Sequence, residues 1–252
     1  MNIKMKALVA AAVAAMSVSG AASAATDWND SIVFLTVVDR TNNISAVFDL
    51  GFTYQTFVAG GADSASSFSW DLSAGAHADT WNTFFGTANA ATTIWGVAAV
   101  DSEGNINVAG NQGFISTYIQ GTTLPASVNG NFITNIGRKA AQYLDASEAN
   151  GNVSTSGQGY ANNLYGATGL SLNGRGPNGL AALGAEQGVV QYLNGAGATR
   201  FQDPIVYDAS FQLSADGVLR YTVAAVPEPE TYALLLAGLG LVGAAARRRK
   251  SA

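Results

Sequence analysis

Phe211-Gln-Leu-Ser-Ala-Asp-Gly-Val-Leu-Arg-Tyr-Thr-Val223 is the stretch that decides the fold. Phe211 and Leu213 alternate with Gln212. Beyond Asp216-Gly217, Leu219, Tyr221 and Val223 alternate with Arg220 and Thr222. A period of two is that of a half-buried strand, and Asp-Gly between two such runs is a strong short-range signal for a hairpin. The preceding Ile205-Val-Tyr-Asp-Ala-Ser-Phe-Gln-Leu213 supplies the first arm, and Val218 to Ala224 the second.

Working back along the chain, the same chemistry recurs. Ser31 to Asp39 and Ile44 to Leu50 are rich in β-branched and aromatic residues and flank the polar turn Arg40-Thr-Asn-Asn43, which reads as a second hairpin. Ser67 to Leu72 alternates, Thr92 to Asp101 is a further strand, and the turn Ser102 to Asn105 leads to a short Ile106-Asn-Val108. Gly188 to Leu193 reads as one more strand. From Asn131 to Asn150, Ile133, Ile136, Ala140, Tyr143 and Leu144 fall on one face of a helix, stopped by Asn150-Gly151. Residues 151–188 are rich in Gly and Asn and read as loop. The expected fold is mainly β, a two-sheet sandwich or jelly-roll-like body with one helix, whose first and last strands pair or pack together.

The chain has 252 residues, no cysteine and one histidine, His77. Disulfides, thiolate metal sites and cysteine nucleophiles are excluded, as is a His-pair metal site within one chain. Between residues 25 and 225 there are six Lys or Arg against fifteen Asp or Glu, a net charge of −9. That balance does not suit a phosphate backbone, so nucleic acid is not an expected partner.

The two ends differ from the body. Lys4 and Lys6 precede an apolar stretch from Ala7 to Val18, and Ala22-Ser23-Ala24 places small residues at the −3 and −1 positions that signal peptidase reads. Residues 1–24 are therefore expected to be a signal peptide with an N-terminal signal helix, cleaved before Ala25, and residues 25–225 an extracytoplasmic body. At the other end, Pro227 and Pro229 hold the chain from Val226 to Glu230 extended. Tyr232 to Ala246 carries no charge, and Arg247, Arg248, Arg249 and Lys250 follow. Those fifteen residues make a helix about 22 Å long, short of a ~30 Å hydrocarbon core, and the flanking cations extend it by snorkelling. The expected topology is a transmembrane helix over about 231–246, with the 247–250 cluster cytoplasmic and the body outside. A permanent anchor with a stiff linker and a processing site above a temporary anchor both fit these residues.

Val226-Pro227-Glu228-Pro229, the apolar Gly-rich run through Leu234-Leu235-Leu236-Ala237-Gly238-Leu239, and Arg247 to Lys250 together resemble the PEP-CTERM sorting signal of Gram-negative bacteria. This tail is also known as the ice-binding protein C-terminal motif, a label that implies no antifreeze activity. The resemblance covers residues 226–250. It implies recognition by a membrane-embedded exosortase, processing at Val226, Pro227, Glu228 and Pro229, and release or attachment at the cell surface in a setting of exopolysaccharide and biofilm. The body, especially Phe211 to Val223 running into Val226, is similar to uncharacterised exported bodies that carry this tail, and that likeness implies no activity.

Within the body, candidate chemistry is sparse. Gly174-Arg-Gly-Pro-Asn-Gly179 matches G-x-G-x-x-G but sits in a Gly/Asn-rich loop rather than between a strand and a helix. Asp101-Ser-Glu-Gly-Asn-Ile-Asn107 offers hard oxygen ligands, but not at the spacing of a calcium loop. His77 has Asp79 nearby, yet no Gly-x-Ser-x-Gly elbow accompanies it. Paired acids of a glycosidase cannot be placed by sequence. No cofactor and no catalysis are expected. The aromatic residues Trp28, Trp70, Trp81, Trp95, Tyr54, Tyr118, Tyr165 and Tyr192 leave a sugar-binding reading open, in which exposed rings stack on polysaccharide. Trp70 and Trp95 belong in the core, and Trp81 is the candidate surface ring for a glycan contact. The expected function is an exported structural or adhesive surface protein, with a carbohydrate-binding module as the alternative and a matrix hydrolase as a third class.

Overall fold

The computed structural model describes residues 16–17, 31–60, 67–125, 128–166, 169, 176–197, 199 and 202–224. In chain order the elements are β1 (Met16–Ser17), β2 (Ile32–Asp39), β3 (Ile44–Thr53), α1 (Tyr54–Gly60), β4 (Phe68–Asp71), α2 (Ala78–Phe85), β5 (Thr93–Asp101), β6 (Gly113–Tyr118), α3 (Gly130–Ala149), β7 (Val153–Ser154), β8 (Ala181–Ala182), β9 (Glu186–Leu193), β10 (Ile205–Leu213) and β11 (Val218–Val223). The strands form one sheet in the order β1-β4-β11-β10-β9-β6-β5-β2-β3-β7, with β8 beside β5. All pairs are antiparallel except β1 with β4.

The mainly β expectation holds, but the two layers of the expected sandwich are one sheet curled over on itself. β4, β11 and β10 fold across so that their inner side chains meet those of β3 and α1. Trp70 of β4 donates its indole N–H to the Leu50 carbonyl of β3 at 2.9 Å. Phe52 of β3 meets Phe68 and Trp70 of β4, and Phe57 of α1 meets Phe211 and Tyr221. The first and last hairpins therefore pack together across a core without pairing. Edge-to-face and offset ring contacts of this kind add to the burial of the rings themselves.

The burial pattern explains two kinds of strand. Ile32 to Asp39 is buried along almost its whole length. Val33, Leu35 and Val37 face the curled core, while Phe34 and Val38 face a second core under α3. A strand covered on both faces reads as a continuous apolar run. β10 and β11 are covered on one face only, and there the alternation is clean: Phe211, Leu213, Leu219 and Tyr221 are buried, Gln212 and Arg220 exposed. Their turn closes at Gly217, whose φ of 93° is one that a residue with a Cβ rarely adopts.

Helix α3 forms where its periodicity places it. Asn129 caps it by accepting from the Phe132 N–H at 3.0 Å, and Ile133, Ile136, Ala140, Tyr143 and Leu144 are all buried against the sheet. The 151–188 region is mostly irregular, as expected, yet Tyr160, Leu164, Tyr165 and Leu180 from it complete the second core. Three expectations fail locally. The body carries the short helices α1 and α2 besides the one helix expected. Ile106 to Val108 is a turn rather than a strand, its carbonyls at Ile106 and Val108 held by the buried Asn194 amide. Met16–Ser17 of the expected signal helix lie extended beside β4, where an open strand edge offers backbone partners. The rest of the leader, with Ala22 and Ala24, lies outside the described residues, as do 226–229, 231–246 and 247–250. No helix among the described residues is long and apolar enough to cross a membrane.

Asp39 latches the β2–β3 turn to the loop before β5. Its carboxylate accepts from Thr41 N at 2.9 Å, Asn42 Nδ2 at 2.7 Å, Asn89 N at 2.8 Å and Thr92 Oγ1 at 3.0 Å. Burial alone would raise its pKa, but these donors outweigh burial and hold it at about 2, against 3.8 ordinarily. A depressed carboxylate stabilises the fold at pH values above its unfolded pKa and loses that contribution as pH falls through the folded one. The latch is thus expected to be at full strength above about pH 4 and to lose about 1–2 kcal/mol on acidification to about pH 2. Urea unfolding across this range checks it. Asp39→Asn should be less stable than the parent at pH 7 and lose less on acidification, and parallel pH curves for the two proteins would refute the latch.

Candidate functional site

The residues singled out from sequence do not converge. Trp81 is a correction: it is 6 % exposed, in α2. Asp79 to Phe84 is helical, and its i, i+3 pair Trp81 and Phe84 faces inward. The Trp81 ring lies 4.4 Å from Phe85 and 6.1 Å from Phe48, and covers Gly217 at the β10–β11 turn. A ring so enclosed has no face for a sugar. Trp70 and Trp95 are buried as expected, and Trp95 donates to the Ala182 carbonyl at 3.0 Å. Tyr54, Tyr165 and Tyr192 are buried as well, and Trp28 lies outside the described residues. Of the named rings, Tyr118 alone is half-exposed among the described residues.

His77 is half-buried, its ring edge-on to Phe48 at 5.7 Å. Burial lowers its pKa, partly offset by the charge of Asp49. Its Nε2 is enclosed with no hydrogen-bond partner among the described residues. The oxygens of the turn after β5 already hold protein donors: Asp101 Oδ1 accepts from Glu103 N at 3.0 Å and its Oδ2 from Gln55 Nε2 at 3.2 Å, and Asn105 Oδ1 accepts from Asn107 N at 2.9 Å. Among the described residues no group of three or more His, Cys, Asp or Glu is gathered for a metal. The part of the G-x-G-x-x-G match that is described, 176–179, leads into strand β8, not into a helix, and Gly179 packs against Thr117 of β6. That geometry lacks the helix N-terminus on which a pyrophosphate sits.

The structure gathers a different set. An open groove of about 420 Å³ runs over the outer face of the sheet, beside the start of β9, the first half of β10 and the end of β11. Tyr118, Gln120, Glu186, Val206, Asp208 and Thr222 line it. Ser210 and Ala224 line it as well. Ala224, the last of the described residues, donates its N–H to the Asp208 carbonyl at 2.8 Å. Behind the groove, the Tyr207 hydroxyl donates to Gln191 Oε1 at 2.6 Å, and Gln191 Nε2 donates to the Tyr54 hydroxyl at 2.6 Å. This buried chain ties β10 to β9 and α1. One sequence signal for the groove was available. On the outward row of β10, Val206 is the apolar member among Asp208, Ser210 and Gln212, and it is 52 % exposed.

Residues 225–250 match the family model of the PEP-CTERM protein-sorting motif. The chain is therefore a protein carrying the PEP-CTERM sorting motif, and the motif starts at the residue after Ala224. Such a motif implies an exported protein with a membrane-anchored precursor and an exosortase as its processing partner. No curated protein and no solved structure matches the chain.

Proposed function

We propose that this chain is a non-enzymatic surface or matrix protein. It is exported through its signal peptide, held by a helix over about 231–246, processed by an exosortase at Val226 to Pro229, and then structural or adhesive within exopolysaccharide. The observation that carries this reading is the place of the motif: it begins directly after Ala224, whose N–H is bonded to the Asp208 carbonyl of the body. Seven residues lie between Ala224 and Tyr232, a span of at most ~29 Å when extended. A body so tethered stays close to the membrane, with the Pro-Glu-Pro segment in the gap where a membrane-embedded enzyme reaches it. The low charge of the body and its Gly/Asn/Ser/Thr surface suit a hydrated polysaccharide matrix, and the enclosure of His77 favours a role without catalysis.

Replacing Pro227-Glu228-Pro229 by three alanines tests the reading. Intact-mass measurement of the exported protein is expected to show the tail retained on the variant and removed from the parent. Equal tail removal in both would refute sorting at this segment.

A further inference from the structure

Three departures from ordinary strand chemistry meet at the groove beside Ala224. The first is Gly188, in the interior of β9, where a strand normally carries a side chain. A Cβ there would stand 2.5 Å from Cε1 and 2.7 Å from Cζ of Tyr118, so the bare backbone is what lets the hydroxyl end of that ring settle over β9. Glycine inside a strand often marks such a close approach. The second is a break in the β10–β9 register. The pairs step from Tyr207↔Val189 to Ser210↔Gly188, which leaves Asp208 and Ala209 without β9 partners. Irregularities of this kind re-aim side chains and recur beside binding sites. The third is the exposed Val206 on an otherwise polar row. Each costs a little strand stability, and local rules broken together at one place are a sign of a site.

The lining chemistry narrows the ligand. Glu186 and Asp208 carry negative charge, Gln120, Ser210 and Thr222 offer hydrogen-bonding groups, and Tyr118 and Val206 offer apolar surface. Among the described residues no Lys or Arg lines the groove. Anions such as phosphates or uronate chains are disfavoured by that charge. A ligand with an apolar ring face, many hydroxyls and a positive group satisfies every lining residue. The geometry points to this groove as a binding site for an amino-sugar chain, with Tyr118 under a sugar ring and Asp208 and Glu186 receiving the ammonium group. The inference does not require tail processing and goes beyond it.

Calorimetric titration of the purified full chain in mild detergent tests it, with the glucosamine tetramer, the glucose tetramer and a galacturonate tetramer as probes. Binding is expected to be strongest for the glucosamine tetramer, weaker for glucose and lost for galacturonate, and to weaken as salt is raised. Tyr118→Ala should weaken glucosamine binding by about two- to tenfold, the scale of a lost ring contact. Asp208→Asn should bring the glucosamine and glucose affinities together, and Thr222→Arg, a change on an exposed strand position, should abolish glucosamine binding without moving the melting temperature. No heat from any probe would overturn the proposal. So would a tetralysine peptide that binds as well as the glucosamine tetramer and survives Tyr118→Ala, because charge alone would then account for the groove. Neither outcome bears on whether the Pro-Glu-Pro segment is cut.

Discussion

Replacing Trp70 by alanine is expected to cost about 3–5 kcal/mol, the usual range for truncating a fully buried aromatic ring. Domain stabilities run to only about 5–15 kcal/mol, so this single change removes roughly a fifth of the total or more. The ring sits where the curl closes. Trp70 is 2 % exposed, meets Phe52, Phe68 and Phe211, and satisfies the Leu50 carbonyl of the opposite hairpin. Alanine leaves both a void and an unpaired carbonyl. Trp70→Phe separates the two, because it keeps most of the packing and loses the indole N–H. It is expected to cost about 1–3 kcal/mol, the scale of a buried acceptor left without its donor. Urea unfolding followed by far-ultraviolet circular dichroism measures both. A loss below about 1 kcal/mol for Trp70→Ala would mean that the β4–β3 contact does not hold the curl.

How far that curl could be read from sequence depends on the interaction involved. Alternation and turn chemistry are local, and they located β10, β11, the β2–β3 hairpin and α3 within a few residues. The pairing of β6 with β9, or of β2 with β5, joins segments far apart in the chain, and alternation carries no information on which strands become neighbours. β6 itself, Gly113–Tyr118, has a polar Ser-Thr pair where a strong apolar run would announce a strand. One warning against a plain two-layer sandwich was present. Ile-Val-Phe-Leu-Thr-Val-Val is apolar on both faces, which requires a cover on each side, and the structure supplies the curled hairpins on one and α3 on the other.

The candidate site was less legible for a different reason. Trp81 reads as a loop ring only if Asp79 to Phe84 is a loop. The i, i+3 spacing of Trp81 and Phe84 describes a short helix equally well, and in the folded chain that spacing buries both. Tyr118 needs Gly188, seventy residues later, to settle over β9, and no local rule links the two. The tail shows the opposite behaviour. Its stiff Pro-Glu-Pro, apolar run and basic cluster act through local chemistry, and the motif match covers those same residues.

Gly179→Ala is the other substitution with a large expected effect, and it acts through backbone rather than packing. β6 parts from β5 after the Ala98↔Ser116 pair, and the segment around Gly179 takes over the β5 edge, with β8 pairing Ile94 and Trp95. Thr117 Oγ1 holds the junction, accepting from Val97 N at 3.0 Å and donating to the Gly179 carbonyl at 3.1 Å. Ile119 N donates to the Asn178 carbonyl at 2.7 Å. A Cβ on Gly179 would lie on top of the Thr117 carbonyl oxygen, which no side-chain rotation can move aside. The strap must lift, and the Thr117 and Ile119 bonds go with it. A cost of about 3 kcal/mol or more is expected, a fall in melting temperature of roughly 6–12 °C for a body of this size. Gly151→Ala is the control. Its φ of 69° strains an alanine, but nothing lies within 4 Å, so about 1–2 kcal/mol is expected there. Trp95 gives a local readout, because its indole N–H is bound to Ala182 in the same strap. Gly179→Ala should red-shift the folded-state tryptophan emission as that ring meets water, whereas Gly151→Ala should leave it unchanged. Equal costs for the two alanines, with no shift in emission, would show that the strap is not what completes the β5 edge.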